Sequence, residues 1–454
     1  MTPLLGTDLP VLAAPMAGGP TTPALIRAAS GVGSMGFLAA GYLSAAELAS
    51  RIAEVDGLFG VNVFAPNPVP VDPGEFRSYA YRLQPEAARY GLDLASAKIV
   101  EHDDDWSAKI DLLLARPVPV VSFTFALPPA SVVAALRRAG TVVLQTVTST
   151  VEARAAADLG VDGLIIQSAA AGAHSGTFTP GNIPTNDDLP DLVRSILAAT
   201  ALPAIAAGGV GTPDDVRAAL AAGAQAVMVG TALLRTDESG ASAVHKAALA
   251  EAANSAAAPA GPAADSGAAP AGPAAGSGAA PAGPAAGSGA APAGSSVTPA
   301  GPAVGSSAAP AGSSVTPAGP AVGSSAAPAS PSPAAGSSVA PASSAAGSGH
   351  AGDAGRAEGA TPQGQPSTVD RSATLLTRAF SGRPARALRN GFTDRHHLAA
   401  PSGYPAVHYL TSPLRKAAAQ AGDRERVNLW AGTGFRHAAA GPAGAVLVAL
   451  ASKA

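Results

Sequence analysis

Residues 204–215, Ala-Ile-Ala-Ala-Gly-Gly-Val-Gly-Thr-Pro-Asp-Asp, contain a strand, a glycine loop and the start of a helix in direct succession. The small apolar residues Ala204–Ala207 are typical of a strand that is buried in a parallel sheet. The glycines that follow allow a tight turn, and Pro213 after Thr212 marks the first residue of a helix. Such strand–loop–helix units build α/β folds with parallel sheets.

The same alternation extends to both sides of this stretch and predicts eight strands. They are Val11–Ala14, Met35–Ala39, Phe59–Phe64, Pro119–Phe125, Thr141–Thr146, Leu164–Gln167, Ala204–Ala207 and Ala226–Val229. Helical patterns fall between most of them, and Ser44 followed by Glu47 indicates a capping box. Eight strands alternating with helices over about 230 residues predict a (β/α)8 TIM barrel rather than an open doubly wound sheet. The long interval from Asn67 to Lys109 indicates extra helices or a lid.

An Ala/Pro/Gly/Ser tract interrupts this pattern. Its repeats begin at Pro259, Pro270, Pro281, Pro292 and Pro310. The repeats lack the large apolar residues that a solenoid core needs, and their prolines break helices. We therefore predict a barrel at 1–250, a disordered tract at 251–368 and a smaller, mainly helical C-terminal segment at 369–454 that packs on the barrel. A spacer or interaction arm is the functional alternative for the tract, with no partner indicated.

Composition excludes several classes of function. The chain has 454 residues, a formal net charge of -3 and no cysteine, so it has no charge pattern for nucleic acid and no thiolate metal site. The run Glu101–Asp105 predicts a solvated turn, because consecutive acids do not converge on one ion, and no metal is expected. The N-terminal residues do not resemble a signal peptide, and no apolar run approaches the roughly 18 residues of a spanning helix. The expected protein is cytoplasmic and binds neither nucleic acid nor membranes.

Two glycine-containing loops indicate an anion site. Ala206–Asp215 directs backbone N–H groups toward a concavity at a helix N-terminus, and Met228–Thr231 follows the eighth strand in the matching position. Barrels often bind a phosphate with the loops after strands 7 and 8. The alternative is that these glycines only form tight turns.

Two amides and a histidine are predicted at the same rim of the barrel. Asn62 ends the third strand and Gln167 the sixth, although either amide could simply satisfy loop backbone. The loop after Gln167 has small residues at 169–173, so its backbone can approach a flat ligand. His174 is the group in this loop that can exchange a proton near neutral pH. A loop histidine without a catalytic role is the alternative.

Taken together, these segments resemble the nitronate monooxygenases, long called 2-nitropropane dioxygenases, which are FMN-dependent barrels. The resemblance covers Leu9–Ser239 and Ala373–His437. Its motifs are Leu12–Gly19, Phe59–Asn62, Val121–Phe125, Gln167–Gly176, Ala207–Gly209, Gly230–Thr231, Thr377–Arg386, Tyr404–Pro405, Pro413–Arg415 and Leu429–Gly432. The resemblance implies that His174 is the catalytic histidine and that FMN contacts Met16, Asn62, Gln167, Gly172, Gly209, Met228, Gly230 and Thr231.

The resemblance also implies a reaction, the oxidation of an alkyl nitronate by FMN and O2 to a carbonyl compound and nitrite or nitrate. Propionate 3-nitronate is one candidate substrate. A protonated His174 would hold the anionic nitronate, whereas a neutral His174 could take a proton from a neutral nitroalkane.

The chain departs from the family at Ala170 and Ala173, which replace a glutamate and a glycine, so the substrate is open. The alternatives are an NAD(P)H-dependent flavin reductase of quinone or enoyl-thioester type and a non-enzymatic binding protein. The oligomeric state is also open.

Overall fold

The computed structural model describes residues 4–67, 70–185, 187–257 and 374–452. From residue 258 onward, the predicted tract lies outside the described residues. Its first residues, 251–257, are not disordered, because they continue the helix Ala243–Ala257. Alanine is a strong helix former and the first proline comes only at Pro259, which explains why the helix passes the boundary indicated by composition.

Eight parallel strands form one sheet. In chain order they are β1 Val11–Ala13, β2 Phe37–Ala39, β3 Gly60–Phe64, β4 Val120–Thr124, β5 Val142–Val147, β6 Gly163–Gln167, β8 Ala204–Ala207 and β9 Ala226–Val229. The short strand β7, Ala173–His174, follows β6 and does not belong to this sheet. The order in the sheet is β1-β9-β8-β6-β5-β4-β3-β2. A parallel bridge from Ala13 to Gly36 brings β1 and β2 together, and Ala13 N–H donates to Met35 O at 2.9 Å. The predicted (β/α)8 barrel is confirmed.

Eight helices follow the strands through the first part of the chain. They are α1 Pro23–Ser30, α2 Ala45–Ala53, α3 Pro73–Ala88, α4 Trp106–Ala115, α5 Ala130–Arg138, α6 Thr150–Leu159, α7 Leu189–Ala199 and α8 Pro213–Ala221. The predicted capping box of Ser44 and Glu47 is present at the start of α2. α3 is the extra helix that the long interval after β3 indicates.

Side chains alternate between the inside and the outside of the barrel, as the pleat of a strand requires. Leu12, Leu144 and Ile205 pack together in the interior, whereas their neighbours Val11, Val143 and Ala204 pack against the helices. The interior is therefore a solid apolar core. The carboxyl ends of the strands remain available to form a site.

The segment beyond the tract adds a hairpin, β10 Thr374–Thr377 and β11 Ala385–Leu388, and then three helices. The three helices are α10 Gly391–His396, α11 Ala406–Gln420 and α12 Ala443–Ala451. Helix α9, Ala243–Ala257, comes before the tract. β11 pairs with β7, and Ala385 lies opposite His174. α11 packs on α3 through a shared apolar cluster that includes Phe76, Leu83 and Leu414. The predicted helical segment on the barrel is confirmed, with a hairpin in addition.

α12 completes the outer layer of the barrel. It packs against α1, α8 and β1, and Leu447 and Leu450 join the same buried core as Val11. Close approach to α1 depends on Gly444, because a Cβ there would lie 3.2 Å from Ala28 O in α1 and 2.9 Å from Val32 Cγ1 just after it. α12 therefore occupies the position of the eighth outer helix, although it follows the tract in sequence. Within the described ranges, no helix is long and apolar enough to cross a membrane.

Candidate active site

A cavity of about 530 Å³ lies at the carboxyl ends of the barrel strands. This volume is in the usual range for small-molecule sites. The structure brings all the residues assigned from the sequence to the wall of this cavity: Met16, Asn62, Gln167, Gly172, His174, Gly209, Met228, Gly230 and Thr231. Their contacts show what each can do, and their roles toward a ligand remain predictions.

His174 is held between the β6 loop and the C-terminal segment. Its backbone lies in β7 opposite Ala385 of β11, and its Nε2 is 2.8 Å from Ser381 Oγ. Three aromatic rings surround the imidazole at centroid distances of 5.9, 5.5 and 5.4 Å, from Phe125, Tyr404 and Trp430. The histidine therefore has a fixed ring orientation in a largely apolar box.

This environment keeps His174 neutral. Burial is the main cause that lowers its pKa to about 3, and the positive charges of Arg383 and Arg415 lower it further. The lowered pKa argues against the expectation that a protonated His174 holds an anion at neutral pH, and the role of His174 stays a prediction. Both arginines lie beyond the tract, so nothing in the sequence around His174 indicates them.

A neutral imidazole here can still present either a donor or an acceptor. The Ser381 hydroxyl is close to both His174 Nε2 and Arg383 O, the latter at 3.3 Å. If the hydroxyl donates to Nε2, the imidazole proton is on Nδ1. If it donates to Arg383 O, the proton is on Nε2 and Nδ1 becomes an acceptor. Ser381 therefore allows both tautomers without a change of charge.

The side chains of Gln167 and Asn62 form hydrogen bonds with other groups of the protein. Gln167 Nε2 donates to His174 O at 3.2 Å, and its Oε1 accepts from Gly176 N–H at 2.6 Å. Gln167 thus bonds to loop backbone and fixes the loop that carries His174, and its contact with FMN stays a prediction. Asn62 Nδ2 donates at 2.9 Å to the hydroxyls of Ser122 and Thr124 on β4.

Glycines allow the loops after β6, β8 and β9 to touch. Gly208 and Gly209 have φ of +109° and +80°, a region that side chains rarely adopt. A Cβ on Gly172 would lie 2.6 Å from Gly432 N. Thr231 Oγ1 accepts from that same Gly432 N–H at 2.9 Å. These contacts create a wall of backbone groups at one end of the cavity.

The predicted anion site at the start of α8 needs correction. The N–H groups of Gly211 and Thr212 donate to Asp215 Oδ2 at 3.0 and 2.8 Å, and Asp215 N–H donates to Thr212 Oγ1. A carboxylate of the protein therefore already occupies this helix N-terminus. The backbone of Gly208–Gly209 and of Gly230–Thr231 does line the cavity and is the remaining place for an anion.

Several residues that shape the site were not predicted. Arg383 is fully buried, with its guanidinium 3.9 Å from the centre of the Phe125 ring, and it donates to the carbonyls of Ser175 and Thr177. Tyr42 stacks on the ring of His408 at 4.3 Å. Arg383 lies within a family motif, which is its only sequence signal.

The run Glu101–Asp105 is mainly exposed, as a solvated turn should be. Asp104 is the exception, because it accepts from Tyr42 N–H at 2.9 Å and pairs with the buried Lys109 at 2.7 Å. In the described part of the chain, no group of His, Asp and Glu is arranged to hold a metal ion.

Comparison with known proteins decides the family. The family model for nitronate monooxygenase matches residues 1–258 and 362–452. The chain belongs to the nitronate monooxygenase family. A probable nitronate monooxygenase of Bacillus subtilis (strain 168) is 36% identical over 252 residues, which cover 54% of this chain and 70% of the relative. A probable nitronate monooxygenase of Staphylococcus aureus (strain JH9) is 33% identical over 251 residues, or 53% of this chain and 69% of the relative.

Solved structures agree with this assignment. The nitroalkane oxidase from Streptomyces ansochromogenes is 33% identical, with a TM-score of 0.67 over 99% of this chain and 96% of that chain. FabK from Thermotoga maritima is 18% identical, with a TM-score of 0.57 over 99% of this chain and 94% of that chain, and this likeness shows the fold alone. The protein is an oxidoreductase of the nitronate monooxygenase family, whose members typically depend on a flavin and act on small molecules.

Proposed function

We propose that this protein uses FMN and O2 to oxidise alkyl nitronates to a carbonyl compound and nitrite or nitrate. The observation that carries the proposal is the convergence of every sequence-assigned site residue on one cavity. Propionate 3-nitronate and simple alkyl nitronates are the candidate substrates.

The residues of the cavity fit FMN. Its volume suits a cofactor of this size, and none of the described residues that line it is acidic, so no carboxylate there would repel a phosphate. Gly209, Gly230 and Thr231 would hold the phosphate with backbone groups. The ring system would lie against Met16, Asn62, Gln167, Gly172 and Met228. When bound, FMN would supply the redox chemistry between the nitronate and O2.

His174 would position the substrate and handle its proton. In the tautomer with Nδ1–H, the neutral imidazole donates a hydrogen bond to a nitronate oxygen. In the other tautomer, Nδ1 can accept the acidic α proton of a nitroalkane. The aromatic residues Phe125, Tyr404 and Trp430 exclude water around the ring, which strengthens either interaction.

The test is an aerobic assay of the FMN-loaded protein with alkyl nitronates and without NADH. We expect O2 consumption and nitrite or nitrate formation. His174→Ala should keep bound FMN and lose most of the turnover, because alanine can neither donate a hydrogen bond to a nitronate oxygen nor take a proton. Full activity in that variant would refute the role of His174.

Two other outcomes would replace the proposed function. Rapid bleaching of the flavin by NADH under anaerobic conditions, without nitronate turnover, would indicate a flavin reductase. A colourless protein with no affinity for FMN would indicate a binding protein.

A further inference from the structure

One helix of the C-terminal segment presents a polar face to the cavity. His408, Ser412, Arg415 and Ala419 of α11 all line it, at the spacing of three and four residues that places side chains on one side of a helix. His408 contributes no charge, because burial lowers its pKa to about 2. Arg415 is therefore the charged group that this face brings into the partly enclosed part of the site.

The guanidinium of Arg415 is fixed by its own helix. Nε donates to Thr411 Oγ1 at 3.0 Å, and Nη2 donates to His408 O at 3.0 Å and approaches His408 Nδ1 at 3.3 Å. These neutral acceptors orient the group and leave its charge uncompensated. Among the described residues, Nη1 has no acceptor.

Arg415 lacks an acidic partner, as do the buried Arg383 and Arg386, which instead donate to backbone carbonyls. Arg426, for comparison, pairs with Glu86 at 2.6 Å and with Asp423 at 2.7 Å. No ion pair between described residues includes Arg415, and no acidic residue lines the cavity beside it. Burial lowers its pKa only to about 10, so it is charged at neutral pH. A partly buried cation without an anion is costly and calls for an anionic ligand.

We propose that Arg415 binds the anionic group of the substrate, an inference that rests on the proposed function. Because Nε and Nη2 are already used, Nη1 is the group left to donate a charge-assisted hydrogen bond to an oxygen of the anionic nitronate. The anionic substrate would then be held by Arg415, while the neutral His174 supplies the hydrogen bond or the base.

Neither of the other nearby cations fits this role. Arg383 does not line the cavity: its Nε and Nη2 donate to the carbonyls of Ser175 and Thr177, and its buried Nη1 has no acceptor among the described residues. Lys416 lines the cavity, but it is exposed, so its charge is screened by water.

The experiment compares FMN-loaded wild type, Arg415→Gln, Arg415→Lys and a matched surface control, Arg217→Gln on α8. KM and kcat are measured for an alkyl nitronate. Binding of nitrate, a planar inorganic anion, is measured by calorimetry with chloride as the ionic-strength control. Arg415→Gln should raise both KM and the Kd of nitrate roughly 10- to 100-fold, the effect of losing a charged hydrogen bond.

Arg415→Lys keeps the charge but loses the hydrogen bonds to Thr411 and His408 that orient the group, so we expect a rise of roughly 3- to 10-fold. Arg217→Gln should change neither constant, because its side chain is exposed, pairs with Asp214 and does not line the cavity. FMN content should be the same in all four proteins. A KM and a nitrate Kd within twofold of wild type in Arg415→Gln would overturn the inference.

The two proposals can fail separately. If wild type does not turn over nitronates, but nitrate binds and Arg415→Gln loses that binding, the proposed function fails and the anion site at Arg415 stands. If wild type is active and Arg415→Gln keeps wild-type constants, the proposed function stands and the anion site fails.

Discussion

Replacing Ala173 with glycine is expected to stabilise the protein. Ala173 has φ of +63°, in the left-handed region where a Cβ approaches the following carbonyl oxygen. It is held there because it pairs with Arg386 of β11 while the next residue, His174, pairs with Ala385. The family pattern has glycine at this position, so the chain carries a side chain where the backbone favours none.

The magnitude follows from two opposing terms. The left-handed conformation costs an L-residue about 1–2 kcal/mol, which glycine avoids. Glycine loses more conformational freedom on folding than alanine, which costs about 0.5–1 kcal/mol. The difference is a gain of about 0–1.5 kcal/mol in the free energy of unfolding, with a midpoint of about 0.75 kcal/mol.

The assay is equilibrium urea unfolding at a fixed FMN concentration. The matched control is Ala171→Gly, the same substitution in the same loop at a residue without a positive φ. This control should lose about 0.5–1 kcal/mol, because only the entropy term acts there. The two variants should therefore change stability in opposite directions. An Ala173→Gly protein that is destabilised as much as Ala171→Gly would refute the reasoning.

Three further predictions concern packing, pH and the tract. Gly172→Ala places a Cβ 2.6 Å from Gly432 N, so thermal and urea unfolding should show a loss of about 1–3 kcal/mol and FMN should bind more weakly. Burial lowers the pKa of His245 to about 4, so on acidification the unfolded protein takes up a proton at this residue before the folded protein does. The free energy of unfolding should therefore fall as pH decreases from about 6.5 to 4, and His245→Gln should flatten this dependence. Deleting residues 264–364 should leave the free energy of unfolding, the FMN content and the turnover close to those of wild type. The reason is that the entropic cost of closing a loop changes by only about 0.6 kcal/mol for each halving of its length.

Each of these predictions has a result that contradicts it. Gly181→Ala, which meets no atom within 4 Å, is the control for Gly172→Ala, and equal effects would remove the steric argument. An unchanged pH dependence in His245→Gln would show that other groups dominate acid sensitivity. A deletion that prevents folding would give the tract a structural role.

The strands and many of the helix starts could be predicted because their signals are local. The strands Ala204–Ala207 and Ala226–Val229 have the bounds that the pattern predicts. By contrast, β7 exists only because β11 pairs with it, and no pattern in its two residues indicates a strand. A short strand made by a distant partner cannot be seen in the local sequence.

The site was predictable in position and less so in chemistry. The ends of the strands and the glycine loops place its residues, and all of them line the cavity. The charge state of His174 was not predictable, because it depends on burial and on arginines that follow the tract. The capping of α8 could have been recognised, since Thr212 and Asp215 have the spacing of a capping box.

The position of α12 has a consequence for protein synthesis. A ribosome that has completed α9 at Ala257 must translate the whole tract and the C-terminal segment before α12 emerges. At roughly 5–20 residues per second, this takes on the order of 10–40 s. During that time the nascent barrel exposes the apolar surface of α1 and α8 that α12 later covers. The insertion adds only a small loop-closure free energy to the finished protein. It nevertheless lengthens the interval in which a chaperone, or another nascent chain, can bind that surface.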